Sequence, residues 1–142
     1  MNAANEQYLV RRFGKDAVDF CKALAGPRWE AFTPFVEGVD YCGPEGNKAL
    51  SAIIPDSLFG CDFSIGGWYH DNLFRIGGNE AAFHRANADF RDILQWQVRT
   101  FAPATWWGKI LWAVRLKRRA MQATWIYFAA VEQGRKYFNF TA

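Results

Sequence analysis

The chain has 142 residues and only three cysteines, Cys21, Cys42 and Cys61, an odd number with no regular spacing. That excludes a disulfide framework, although a single Cys42–Cys61 bridge stays open. The lack of any C-x-x-C pair also argues against a thiolate zinc site. Only two histidines are present, and none precedes His70. The upstream imidazole ligands of a His-Asp metal phosphohydrolase are therefore missing. No G-x-S-x-G sequence supplies a serine nucleophile elbow. The first fifteen residues hold no apolar h-region, so no classical signal peptide is expected. The apolar stretches near Ile110 and Trp125 are too short and interrupted to span a bilayer. The default expectation is thus cytoplasmic, with export by lysis or on a particle left open. No stretch alternates at period two, and neither repeats nor low-complexity tracts occur.

What the chain does have is a core. Hydrophobic residues make up 51% and charged residues 22%, which excludes bulk disorder and fits one domain over 1–142. Seven Trp, thirteen Phe and five Tyr supply large rings for a small interior. The net charge of +3 is too mild to argue for nucleic acid. A local basic cluster, Arg115, Lys117, Arg118 and Arg119, is read first as a solvated helix face or helix end. Its functional reading is contact with anionic lipid or another acidic partner. Trp106, Trp107, Trp112 and Trp125 lie near it. Core packing is the expected use for most of these rings, with an interfacial binding face as the alternative.

Apolar spacing through Leu9, Phe13, Ala17, Phe20 and Leu24 predicts a helix over 6–25, ended by Gly26-Pro27. A short second piece is expected over 29–35. Residues 38–55 read as an ordered loop. A helix is predicted over 64–76, closed by Gly77-Gly78. Asn79 caps the next one, which runs to about Phe101, where Pro103 ends the pattern. The rest, 105–137, is helical with a break near the basic cluster. The class is all-α, or mostly so with a small β element. It comprises N-terminal helices (1–37), a middle region (38–101) and C-terminal aromatic and basic helices (104–142).

Ala82, Ala86, Asp89, Ile93 and Trp96 share one face of the helix after Asn79. A carboxylate among apolar residues needs a partner. An arginine is the bland candidate; His70, across the tight Gly77-Gly78 turn, is the other. A carboxylate on one imidazole nitrogen fixes the tautomer and frees the other nitrogen to take a proton from water. Asp71 points about 100° away from His70 and can therefore ligand a metal next to the base without competing for it. The loop Tyr41-Cys42-Gly43-Pro44-Glu45-Gly46-Asn47 offers the backbone carbonyls that calcium favours. Gly66 and Gly67 are awkward inside a helix: either the helix starts after them, or something approaches closely there. His84 is read as exposed, with a metal role beside His70 the lesser option. Asp56 is read as capping the turn before Phe59-Gly60.

The ordered set of glycine-rich loop, His70-Asp71 helix and later Asp89 resembles phospholipase A2. The loop is similar to the Tyr-x-Gly-Pro-Gly-Asn calcium loop of parvoviral capsid phospholipase domains, with Glu45 inserted, and Ala88-Asp89 is similar to their Ala-Asp-x-x-Phe segment. Pro55-Asp56-x-x-Phe59-Gly60, Phe63 and His70-Asp71 resemble the equivalent run of secreted bacterial phospholipases A2. The resemblance covers roughly residues 41–98. It implies a phospholipase A2-like antiparallel helix pair with a calcium loop. It also implies calcium-dependent hydrolysis of glycerophospholipid esters at a membrane surface. His70 would be the base, Asp89 its partner, and Asp71 with the carbonyls of Tyr41, Gly43 and Gly46 the Ca²⁺ ligands. The chain departs from the family at Ala49, where bacterial members carry an acidic ligand, and at Phe74, where many have a tyrosine. It departs again at Trp68 and Tyr69, which replace disulfide cysteines. The stretch from Tyr41 to His70 is also longer. The Ala49 and Phe74 departures favour the alternative of a non-catalytic structural or interaction protein, phage-type or particle-associated, on the same scaffold.

Overall fold

The computed structural model describes residues 1–41 and 56–141. Within them the chain is mostly helical, as the periodicity predicts. The expected first helix is two, α1 (Ala3–Phe13) and α2 (Lys15–Ala25). They part at Gly14, whose φ of +90° no helix can continue through. The apolar spacing runs on across the break because both helices face one core through Leu9, Ala17, Val18 and Cys21. Gly26-Pro27 ends α2 as expected. A 3₁₀ turn, Gly26–Ala31, then replaces the predicted short helix and buries Trp29.

A small antiparallel hairpin, β1 (Ser57–Leu58) and β2 (Cys61–Asp62), turns at Phe59-Gly60. Two residues per strand are too few to show alternation, so the sequence pattern could not reveal it. Asp62 then starts α3 (Ser64–Ile76), its Oδ1 accepting from the Ser64 N–H at 2.9 Å and from the Ser64 hydroxyl at 2.6 Å. Its other oxygen holds Arg12 of α1 at 2.8 Å.

Asn79 caps α4 (Glu80–Thr100), its side chain accepting from the Ala82 N–H at 3.0 Å. The pair α3–α4 is antiparallel: Phe74 meets Phe83 near the turn and Gly66 meets Leu94 far from it. Then follow α5 (Trp106–Leu111), a π-helical turn over Trp112–Leu116, α6 (Lys117–Glu132) and a 3₁₀ turn over Gln133–Tyr137. Near the basic cluster the helix is not broken, as the sequence pattern had predicted, but widened: the backbone stays helical on both sides of the π-helical turn, with Leu111 and Lys117 in the α-helical region. The chain end returns to the α3–α4 turn, where Gly78 N–H donates to the Asn139 carbonyl at 3.0 Å and Thr141 N–H to that of Gly78 at 2.9 Å.

Helix α4 separates two apolar clusters. Ala86 and Ile93 face α2, α3 and Trp29, while Phe90, Leu94 and Val98 face Trp112, Ala120 and Tyr127 of the C-terminal helices. Aromatic edges knit the first cluster; Trp68 meets Trp29 at 5.8 Å and Phe32 at 5.4 Å. Truncating such a ring to alanine costs about 3–5 kcal/mol. No helix among the described residues is long and apolar enough to cross a membrane.

Candidate active site around His70

His70 lies midway along α3 and is only 6% exposed. Phe74, one turn on, packs tilted against its ring with centroids 3.9 Å apart, and Phe90 of α4 lies at 5.0 Å. Its Nε2 faces the Oδ1 of Asn87 at 2.9 Å. Asn87 in turn donates from Nδ2 to Glu132 Oε1 at 2.8 Å. Glu132 is a carboxylate acceptor, so the amide nitrogen must face it and the amide oxygen must face His70. That makes Nε2 the donor, so in the neutral ring the hydrogen sits on Nε2 and the lone pair on Nδ1. Nδ1 looks toward Asp71, whose carboxylate is 4.0 Å away. This is too far for a direct hydrogen bond and close enough to share one water.

The expected His70–Asp89 pair is not formed. Asp89 is 1% exposed, as its place on the apolar face requires, but its carboxylate accepts from the Tyr69 hydroxyl at 2.9 Å and from Arg85 Nε at 2.8 Å. The reason is helical geometry. Residues 87 and 89 point about 200° apart on α4, and residues 69 and 70 about 100° apart on α3. Asp89 therefore meets Tyr69 on the α2 side, while Asn87 meets His70 on the α6 side. Burial raises the Asp89 carboxyl above the usual range, and the bonds from Tyr69 and Arg85 offset part of that. Burial, helped by the neighbouring Asp89 carboxylate, also pushes the Tyr69 hydroxyl well up.

Both awkward glycines lie inside α3, and both mark close approach. A Cβ on Gly66 would meet the Leu94 side chain at 2.8 Å. A Cβ on Gly67 would lie 2.6 Å from the carbonyl carbon and oxygen of Tyr41. Gly67 and Asp71 are one turn apart on one helix face, so the Tyr41 backbone is seated beside Asp71. Tyr41 is fixed further by its N–H to Asp56 Oδ2 at 3.3 Å and by its hydroxyl, which accepts from the Val36 N–H at 2.9 Å. Asp56 thus anchors Tyr41 with its side chain. Its carbonyl accepts from Phe63 N–H at 2.6 Å and closes the hairpin. Gly43, Gly46, Ala49 and Cys42 lie outside the described residues. Among the described residues no group of three or more His, Cys, Asp or Glu forms a metal cluster.

His84 is exposed, as expected, and lies 3.2 Å from Glu80 and 3.6 Å from the second oxygen of Glu132. Cys21 and Cys61 are both free and buried. Sequence reasoning missed Asn87 and Glu132. For Asn87 a signal existed: it lies seventeen residues after His70 across a tight turn, at matching depth, and a buried asparagine on a helix needs partners. Glu132, on a distant helix, left none.

No protein-family model matches the chain, and neither does any curated protein or solved structure.

Proposed function

We propose that this chain is a phospholipase A2-type hydrolase, dependent on calcium, that cleaves acyl esters of glycerophospholipids, with Asn87 rather than Asp89 as the partner of His70. One observation carries the reading. The His70 ring is held through Nε2 by an amide that is itself fixed by Glu132, which leaves Nδ1 as a base facing Asp71. In this reading Nδ1 takes a proton from water as the water oxygen attacks the ester carbonyl carbon. The proton then passes to the departing glycerol oxygen as the acyl C–O bond breaks, releasing a free fatty acid and a lysophospholipid. Asn87 fixes the tautomer but carries no charge, so the imidazolium is stabilised across the amide by Glu132 and, 4.0 Å from Nδ1, by the Asp71 carboxylate.

The donors fit a hard cation. The Asp71 carboxylate and the Tyr41 carbonyl, brought beside it by the gap at Gly67, are oxygen ligands of the kind calcium takes. When bound there, calcium polarises the ester carbonyl. The substrate reading brings with it a phospholipid or membrane surface as the partner.

A non-catalytic protein on the same scaffold is the second reading. It is favoured by the burial of His70 beneath Phe74 and by the neutral amide at its Nε2. Fatty-acid release from mixed phospholipid vesicles separates the two. The hydrolase reading expects release in millimolar Ca²⁺, none in chelator, and none from folded His70→Ala. Release that His70→Ala leaves intact overturns it.

A further inference from the structure

Trp106, Trp107, Ile110, Leu111 and Val114 are all exposed, the two tryptophans at 67% each and Val114 at 73%. Their spacing of i, i+1, i+4, i+5 and i+8 puts them on one stripe of α5 and the π-helical turn. The opposite side is anchored: Trp112 is buried and meets Phe101 edge-on at 4.7 Å. The stripe is therefore an apolar face held outward by the fold. A cluster of this kind on a surface marks an interaction site, whereas single exposed apolar residues do not.

Charge says what the partner is. Between Asp92 and Glu132 the chain has no Asp or Glu, and it carries Arg99, Lys109, Arg115, Lys117, Arg118 and Arg119. Lys109 and the last four are exposed. An apolar stripe with two adjacent tryptophans, in a stretch of sequence that carries cations and no acid, matches a membrane interface with negative headgroups. An acidic protein groove would satisfy the cations. It would still need a concave apolar surface to take two neighbouring indoles whose ring centres are 4.5 Å apart. A bilayer interface takes them without one.

We infer that the segment Trp106–Arg119 seats this protein on anionic phospholipid bilayers. Trp106, Trp107, Ile110, Leu111 and Val114 enter the headgroup–acyl boundary, and Lys109, Arg115, Lys117, Arg118 and Arg119 pair with the headgroups. The inference rests on exposed area and charge, so it stands or falls separately from the hydrolase reading.

The test is co-sedimentation with sucrose-loaded vesicles in chelator, where calcium-dependent hydrolysis does not intrude. Phosphatidylcholine vesicles are compared with vesicles containing phosphatidylglycerol, for the parent chain and for Trp106→Ala/Trp107→Ala and Lys117→Ala/Arg118→Ala. All four positions are exposed, so both variants should melt like the parent. The expected result is binding to the phosphatidylglycerol vesicles that falls roughly tenfold or more in the tryptophan variant. It should fall severalfold in the basic variant, and it should weaken with salt. Absence of binding to anionic vesicles, or equal binding by the parent and the tryptophan variant, overturns the inference. So does self-association of the parent that the tryptophan variant abolishes with no vesicle binding, because the stripe would then be an interface between copies.

Discussion

Asn87 offers its amide oxygen to Nε2 of His70 at 2.9 Å. This one contact decides the tautomer of the only buried imidazole among the described residues. The amide is oriented by its donation to Glu132, so the chain of bonds reads His70 to Asn87 to Glu132.

Asn87→Leu removes the acceptor for Nε2–H and strands Glu132. It should lower hydrolysis by about 10²–10⁴-fold and stability by about 1–3 kcal/mol. Ring ¹⁵N shifts of His70 report the tautomer directly: Nε2–H in the parent chain, a mixture in the variant. A single Nδ1–H form in the parent would contradict the relay.

Asn87→Asp alone places a carboxylate 2.8 Å from Glu132, the distance now spanned by the amide nitrogen. The two acids must share a proton, and the gain for His70 is blunted. Combining Asn87→Asp with Glu132→Gln removes the conflict and puts a lone carboxylate on Nε2. Steady-state rates against pH should show the double variant faster than Asn87→Asp, with the His70 limb moved to higher pH.

Asp89 is a structural carboxylate on this account. Its folded pKa is raised, chiefly by burial, so folding favours the protonated form. The stabilisation is full below the ordinary aspartate value of about 3.9 and is lost as pH rises through the higher folded value. Thermal melts from acid to neutral pH should show this slope in the parent and lack it in Asp89→Asn. The rate of hydrolysis per folded molecule should stay close to that of the parent.

The two α3 glycines should behave differently. Gly67→Ala forces the Tyr41 backbone away and should weaken Ca²⁺ binding as well as stability. Gly66→Ala meets only the side chains of Leu94 and Ile93, so it should cost about 1–3 kcal/mol by overpacking and leave Ca²⁺ affinity unchanged. Calorimetric titration beside denaturant melts reads both effects.

Burial pushes the Cys61 thiol up to about 12 and the Cys21 thiol higher still. Both should resist thiol reagents at neutral pH and react only on unfolding, which a timed labelling experiment followed by mass spectrometry measures.

The helices were legible wherever capping and breaking residues stood at their ends. Asn79, Gly77 and Gly26-Pro27 each carry their own signal, and α3 and α4 lie where those signals put them. The split at Gly14 was hidden because the apolar spacing continues across it. The hairpin was too short to alternate. Around His70, the candidates Asp71 and Tyr41 and the awkward glycine at 67 could be singled out before the packing was known. The pattern misdirected at Asp89 because a carboxylate on an apolar face asks for a partner without naming it. Tyr69, one residue from His70 in sequence and about 100° away on the helix, took that place with Arg85. Glu132 reaches His70 through Asn87 from forty-five residues beyond it, a link that only tertiary packing makes.

The most direct test of the account is fatty-acid release from phospholipid vesicles against free Ca²⁺, with the parent chain and folded Asp71→Asn side by side. The account predicts release that rises and saturates with Ca²⁺ in the parent and stays at background in the variant. Release that ignores Ca²⁺, or none from either protein at millimolar Ca²⁺, would contradict it.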